Sequence, residues 1–355
     1  MAKKLMKGNE AIAEAAIKAG CRYFFGYPIT PQNEIPEYMS RRMPQIGGTF
    51  VQAESEVSAI NMVYGAAGAG ARAMTSSSSP GISLKQEGIS YIACSELPAV
   101  IVNMMRTGPG LGGILPSQGD YFQAVKGGGH GDYHLIVLAP SSIQEAADLI
   151  MDGFDLADIY GNPVMILGDG MIGQMMEPVE FKEPGKRPLP AKDWAATGWD
   201  GKSRKRAVIN SLYIAAEEME EVMARLKARY DEIEKKEKRV EEYMMDDAEV
   251  CITAYGTVAR IAKSTAQKLR SEGIKAGVIR PITLWPFPSE TYEKYCGQVD
   301  FFFDVEMSLG QMLEDVKLAV NGRKPVEFMG VVGGSVPTPN QIREKIMEVI
   351  RREKQ

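Results

Sequence analysis

Tyr23-Phe24-Phe25-Gly26-Tyr27-Pro28-Ile29-Thr30-Pro31 is the stretch that decides the fold. Its first four residues form a short apolar run, which predicts a buried strand. The two prolines behind it have no amide hydrogen with which to continue a ladder. The chain therefore leaves this strand as a loop at its C-terminal end, the edge where open α/β sheets hold their sites. Upstream, Ile12, Ala15, Ala16 and Ala19 share one stripe of an amphipathic helix that stops at Gly20, a residue suited to a left-handed cap.

The same alternation continues downstream. Thr49 to Gln52, Ala73 to Thr75, Ala99 to Met104 and Pro163 to Leu167 read as strands, with helices from Ser55 to Gly70 and Gly81 to Ala93. Ser142 and Glu145 have the spacing of a capping box that opens another helix. Strands and helices in turn predict a parallel sheet with helices on both faces. Residues 177–206 shift to proline, lysine and tryptophan, which reads as a long surface connection. A charged helix is expected from Val208 to Met244, with Met219, Val222, Leu226, Ile233 and Val240 on a narrow seam. A second α/β unit begins near Asp247, with strands at Val250 to Tyr255, Ala276 to Ile279, Phe301 to Val305 and Val326 to Met329. Its helices are expected to start near Val258, Ser289, Leu309 and Pro339.

At 355 residues, 45% hydrophobic and 25% charged, the chain can bury sizeable cores in two or three domains. A net charge of −5 gives no general attraction to nucleic acid or to anionic membranes. Lys3, Lys4 and Lys7 precede an amphipathic helix rather than an apolar signal core, and no stretch has the length of a membrane span, so a cytoplasmic location is expected. Cys21, Cys94, Cys251 and Cys296 form no C-x-x-C pair, so any iron–sulfur cluster is expected on a partner. His130 and His134 have no third ligand at recognisable spacing, and no metal held by this chain is expected.

Two glycine motifs fail in context. Gly68-Ala-Gly70-Ala-Arg-Ala73 has the outline of a dinucleotide fingerprint, but its helix comes before the strand rather than after it. Its glycines are expected to let a helix end pack closely on the sheet. Gly108-Pro-Gly110-Leu-Gly112-Gly113 follows a strand, yet Pro116 falls where the phosphate-binding helix should run. A flexible active-site loop is the better reading.

The segments Gly26-Tyr-Pro-Ile-Thr-Pro31, Gln52-Ala-Glu-Ser-Glu-Val57, Met74-Thr-Ser-Ser-Ser-Ser-Pro-Gly81, Gly127-Gly-Gly-His-Gly-Asp-Tyr133 and Pro140-Ser-Ser-Ile-Gln-Glu145 carry a resemblance over nearly the whole chain. It resembles the alpha subunit of 2-oxoacid:ferredoxin oxidoreductases, most nearly the 2-ketoisovalerate type. The resemblance implies an α/β fold: a pyrimidine-type, thiamine-diphosphate-binding parallel-sheet domain over residues 1–235, then a transketolase C-terminal-like domain over 247–355. It implies oxidative decarboxylation of a 2-oxoacid with coenzyme A, giving acyl-CoA and CO₂ and passing electrons to ferredoxin. A beta subunit holding the diphosphate and Mg²⁺, and further subunits with iron–sulfur clusters, are implied as partners. The alternatives are a 2-oxoglutarate or pyruvate enzyme, a nicotinamide-dependent dehydrogenase, or a scaffold without catalytic function. Gly168-Asp169-Gly170 looks like the diphosphate motif of thiamine enzymes, but that motif needs an asparagine soon after it. The next one here is Asn210, beyond the proline-rich connection.

By the same resemblance, Glu56 matches the carboxylate that bonds to N1′ of the cofactor's pyrimidine, with Glu54 as its rival. A carboxyl buried there would have a raised proton affinity and could share a proton at neutral pH. Helix geometry favours Glu56, which shares a small apolar stripe with Ile60, Val63, Ala67 and Gly70, whereas Glu54 precedes the N-cap candidate Ser55. Arg106 either clamps a substrate carboxylate or makes a strand-end ion pair. Thr30 matches the family's substrate-binding threonine or is a turn hydroxyl. Tyr27 belongs to the same cofactor-side loop. Ser76 to Ser79, Ser79 among them, either line the cofactor or satisfy a tight turn. His130 is either a proton relay or a structural histidine.

Overall fold

The computed structural model describes residues 3–182, 187–199, 201–202 and 206–353. Seven strands form the first sheet, in the order Thr283–Trp285, Ile136–Leu138, Val164–Asp169, Val100–Met105, Ala73–Ser77, Tyr23–Gly26 and Thr49–Gln52. All neighbours in it are parallel except Thr283–Trp285, which runs antiparallel to Ile136–Leu138. The central strands are buried on both faces, as their unbroken apolar runs require. Because these strands are parallel, residues 27–31, 77–79 and 106 all emerge at one edge.

Caps start the helices as the sequence implies. Ser55 accepts the amide of Ser58 (3.2 Å) and opens Glu56–Gly68, while Ser142 accepts that of Glu145 (3.1 Å) and opens Ile143–Tyr160. The Glu145 carboxylate bonds to Ser141 rather than closing the box on Ser142. It also takes the buried Arg280 guanidinium at 2.8 and 2.9 Å, and Glu241 takes the same group at 2.7 Å. This ion cluster ties the first unit to the second.

The second sheet has the order Val326–Gly330, Phe301–Glu306, Val250–Thr253, Ala276–Pro281, Val240–Tyr243, with the last strand antiparallel. A short antiparallel ribbon pairs Lys4–Lys7 with Met176–Val179. Two expectations need correction. The charged helix covers only Ala216–Lys236 and buries Val222, Leu226, Tyr230 and Ile233. Ahead of it, the Asn210 side chain accepts the amide of Leu212 (3.0 Å), a local turn that competes with helix. Behind it, Val240 leaves the seam for the edge strand, where Glu241 can reach Arg280. Trp285, on the strand that crosses into the first sheet, stacks on His134 at 4.5 Å and meets Tyr230 edge-on at 5.6 Å.

Gly68 and Gly70 do pack closely, but against the connection rather than the sheet. A Cβ on Gly70 would lie 2.8 Å from Ala195, and one on Gly68 would lie 3.5 Å from Ile209. Among the described residues no helix is long and apolar enough to cross a membrane.

Candidate functional site

Glu56 is the first residue of its helix and is 7% exposed; Ile60, Val63 and Ala67 continue its buried stripe, and the helix ends before Gly70. Glu54 lies outside the cap, exposed, accepting the Ser58 hydroxyl at 2.5 Å, and that bond holds its carboxyl below the usual range. No hydrogen-bond or ion-pair partner among the described residues takes up the Glu56 carboxylate.

Gly81 faces it from the helix Ser79–Cys94. A Cβ there would fall 2.8 Å from Glu56 Oε1 and 2.1 Å from Ser77 Oγ. The buried hydroxyls of Ser77 and Ser78 have no hydrogen-bond partner among the described residues. Beneath them Lys85 is fully buried, its Nζ donating to Thr75 Oγ1 (2.8 Å) and to the Ser76 carbonyl (3.4 Å). Burial pulls its pKa down to about 7, against the field of Glu56.

Arg106 follows the strand Val100–Met105 and is buried. Its Nη1 donates to the Thr30 carbonyl (3.1 Å) and its Nη2 to the Leu111 carbonyl (2.7 Å), while its buried Nε has no partner among the described residues. It makes no ion pair among the described residues, and it ties the loop at residues 27–31 to the glycine loop at 107–116. That second loop is closed at its base by a bridge between Arg106 and Pro116.

Thr30 has its hydroxyl beside Asn33 Nδ2 (3.4 Å). Half-buried Tyr27 offers its carbonyl to Gln32 Nε2 (3.3 Å), and Gln32 Oε1 accepts the Ser76 hydroxyl (2.5 Å). Ser79 has its hydroxyl engaged with Asp120 (2.6 Å) and with the Arg106 amide (3.0 Å). The unpaired hydroxyls therefore belong to Ser77 and Ser78. Asp120, which also accepts from Asn103, is pushed up by burial.

His130 is exposed and lies beside Ser90, Tyr91 and Cys94 at the far end of the helix. That is roughly 14 Å along the axis from Gly81 at 1.5 Å per residue. Asp169, of the Gly-Asp-Gly stretch, is buried and accepts the amides of Met171 (2.8 Å) and Ile172 (3.2 Å), so it caps its own helix start. Sequence reasoning missed Lys85 and Gln32, neither of which carried a signal, whereas Ser77 and Ser78 lay within the serine run read as lining the cofactor or satisfying a turn.

Residues 14–245 match the family described as pyruvate flavodoxin/ferredoxin oxidoreductase, thiamine diphosphate-binding, and residues 248–342 match the pyruvate:ferredoxin oxidoreductase core domain II. The chain is 51% identical to the ketoisovalerate oxidoreductase subunit VorB of Methanothermobacter thermautotrophicus over 98% of both chains. It is 38% identical to the 2-oxoglutarate synthase subunit KorA of Archaeoglobus fulgidus over 99% of this chain and 100% of that one. The solved 2-oxoglutarate:ferredoxin oxidoreductase of Magnetococcus marinus superposes with a TM-score of 0.87 at 26% identity, covering 98% of this chain and 65% of that one. A split-gene transketolase, at 13% identity over 98% of both chains, shares the fold with a TM-score of 0.57. Both α/β units are thus matched in the expected order, and the chain belongs to the 2-oxoacid:ferredoxin oxidoreductase family.

Proposed function

We propose that this chain is the pyrimidine-side subunit of an enzyme that oxidatively decarboxylates branched-chain 2-oxoacids. The single observation that carries the proposal is the Glu56 side chain at the sheet's C-terminal edge, only 7% exposed, whose carboxylate has no partner among the described residues. The bare Glu56 carboxylate, the two orphaned hydroxyls of Ser77 and Ser78 and the absent side chain at Gly81 form a polar cradle that fits the pyrimidine end of thiamine diphosphate. A buried polar group without a partner costs about 1–3 kcal/mol, which a ligand's donor or acceptor would recover.

Thiamine diphosphate, when bound, supplies a nucleophilic carbon and a sink for the electrons released with CO₂. Glu56 would hold a proton against the pyrimidine N1′, and Ser77 and Ser78 would orient the ring. Thr30 and Tyr27 would line the same side. Arg106 would keep the two loops together and turn its remaining Nε–H to the substrate carboxylate. The overall reaction takes a 2-oxoacid anion and a coenzyme A thiol to acyl-CoA, CO₂, one proton and two electrons, the electrons leaving to ferredoxin.

The commitment of Asp169 to its own helix supports a beta subunit as the holder of diphosphate and Mg²⁺. Iron–sulfur clusters are assigned to further subunits. Identity of 51% with a ketoisovalerate oxidoreductase subunit, against 38% with a 2-oxoglutarate synthase subunit, favours 2-oxoisovalerate. So does Arg106, two of whose nitrogens are already engaged. The test is coenzyme A-dependent ferredoxin reduction by the assembled complex. A higher kcat/KM for 2-oxoisovalerate than for 2-oxoglutarate is expected, and the reverse order would overturn the substrate assignment.

A further inference from the structure

The helix Ser79–Cys94 lies on the helix Glu56–Gly68 through a stripe made by Gly81, Lys85 and Gly88. A Cβ on Gly81 would strike Glu56 Oε1 (2.8 Å), and one on Gly88 would strike Ile60 (2.5 Å). Between these two close approaches stands a lysine. Lys85 has no exposed surface, and its amine is held by one hydroxyl and one carbonyl with no carboxylate in ion-pair contact among the described residues. A lysine is almost never fully buried without a partner charge, and here a methionine or leucine would fill the same helix contact at no electrostatic cost.

The strand beneath it offers only the uncharged Thr75 and Ser76, and Gln32, which reaches Ser76 from the loop, is also uncharged. Among the described residues, Glu56 is the charged group whose field opposes the effect of burial on the amine.

We propose that Lys85 is a positioning residue for Glu56, a buried cation under the catalytic carboxylate that favours its ionised form and so helps move the shared proton towards the cofactor. This rests on the reading of Glu56 given above. Lys85 lies one helical turn beyond Gly81, whose missing side chain leaves room for Glu56, and it acts only through that carboxylate.

The test is the pH profile of turnover in the assembled, cofactor-loaded complex for Lys85→Met, Glu56→Gln and the double variant. Methionine keeps the volume and removes the charge, and Lys85→Gln serves the same comparison if the methionine variant does not assemble. With Lys85→Met, the limb of the profile that Glu56→Gln abolishes should move to higher pH by about one unit, because loss of a neighbouring cation favours a protonated carboxyl. Turnover at neutral pH should fall about tenfold, one unit's worth of proton affinity. In the Glu56→Gln background Lys85→Met should have no further effect. An unmoved limb, or an equal fold-loss in both backgrounds, would overturn this inference and leave the reading of Glu56 standing. Full turnover in Glu56→Gln alone would overturn both.

Discussion

Gly81→Ala separates the stability of this site from its chemistry. The added methyl group would sit 2.1 Å from Ser77 Oγ, 2.8 Å from Glu56 Oε1 and 3.2 Å from Glu56 Cγ. All three atoms must give way. The Ser77 hydroxyl can rotate, since no hydrogen bond holds it. The Glu56 side chain must shift by several tenths of an ångström to recover ordinary contact. Overpacking of this kind costs about 1–3 kcal/mol, while replacing a glycine within a helix returns about 1 kcal/mol. The net loss of stability is therefore expected below about 2 kcal/mol. Misplacing a reacting group by about 1 Å costs on the order of 10²-fold in rate, so a smaller shift of Glu56 should cost at least about tenfold in kcat. The comparison variant is Gly88→Ala, whose methyl would meet Ile60 Cγ2 at 2.5 Å in the same helix contact without touching Glu56. It should cost similar stability and little turnover. Denaturant unfolding of the chain and steady-state kcat of the assembled complex give the two readouts. Turnover unchanged by Gly81→Ala, or lost equally in both variants, would refute the claim that Glu56 must stand where Gly81 lets it stand.

Arg280→Met should lower stability by roughly 2 kcal/mol, less than the ~3–5 kcal/mol for a fully buried pair because both partner glutamates reach solvent. Burial opposes it, but Lys263 and Arg280 hold the Glu241 carboxyl below its ordinary value of 4.5. That contribution is present above the unfolded value and is lost as pH falls through the folded one, so the Arg280→Met deficit should shrink as unfolding is measured below pH 4.5. The chain purified without partners should bind thiamine diphosphate far more weakly than the complex does. Calorimetry of both reports this, and micromolar affinity in the lone chain would contradict the half-site assignment.

Much of this was legible in the sequence, for identifiable reasons. Tyr23 to Gly26 forms a strand buried from Phe24 onward, and the prolines after it end the ladder, so both the strand and its functional edge could be read. Ser55 and Ser142 cap as their spacing implied, and the phase of the helix after Ser55 separates a buried Glu56 from an exposed Glu54. Other features depend on tertiary partners. Thr283–Trp285 is three residues long, and only its pairing with Ile136–Leu138 makes it a strand of the first sheet. Val240–Tyr243 carries two glutamates and reads as a continuing charged helix until Arg280 is seen to need Glu241. Lys85 has the residue type of a solvated surface, and only the crossing of two helices through Gly81 and Gly88 explains its burial. Arg106 follows its strand as expected, but carbonyl groups of two loops rather than a carboxylate bind it.

The paired variants Glu56→Gln and Glu54→Gln bear most directly on what this chain contributes. Each is introduced into the complete complex, bound thiamine diphosphate is quantified, and turnover with 2-oxoisovalerate, coenzyme A and ferredoxin is measured. Glu56 is buried and free of other partners, whereas Glu54 is exposed and bonded to Ser58. Glu56→Gln should leave the complex assembled and loaded while cutting turnover by roughly 10²-fold or more, the scale of losing an acid–base group, and Glu54→Gln should cost less than about tenfold. A dead Glu54→Gln enzyme beside an active Glu56→Gln enzyme would contradict the placement of the catalytic carboxylate.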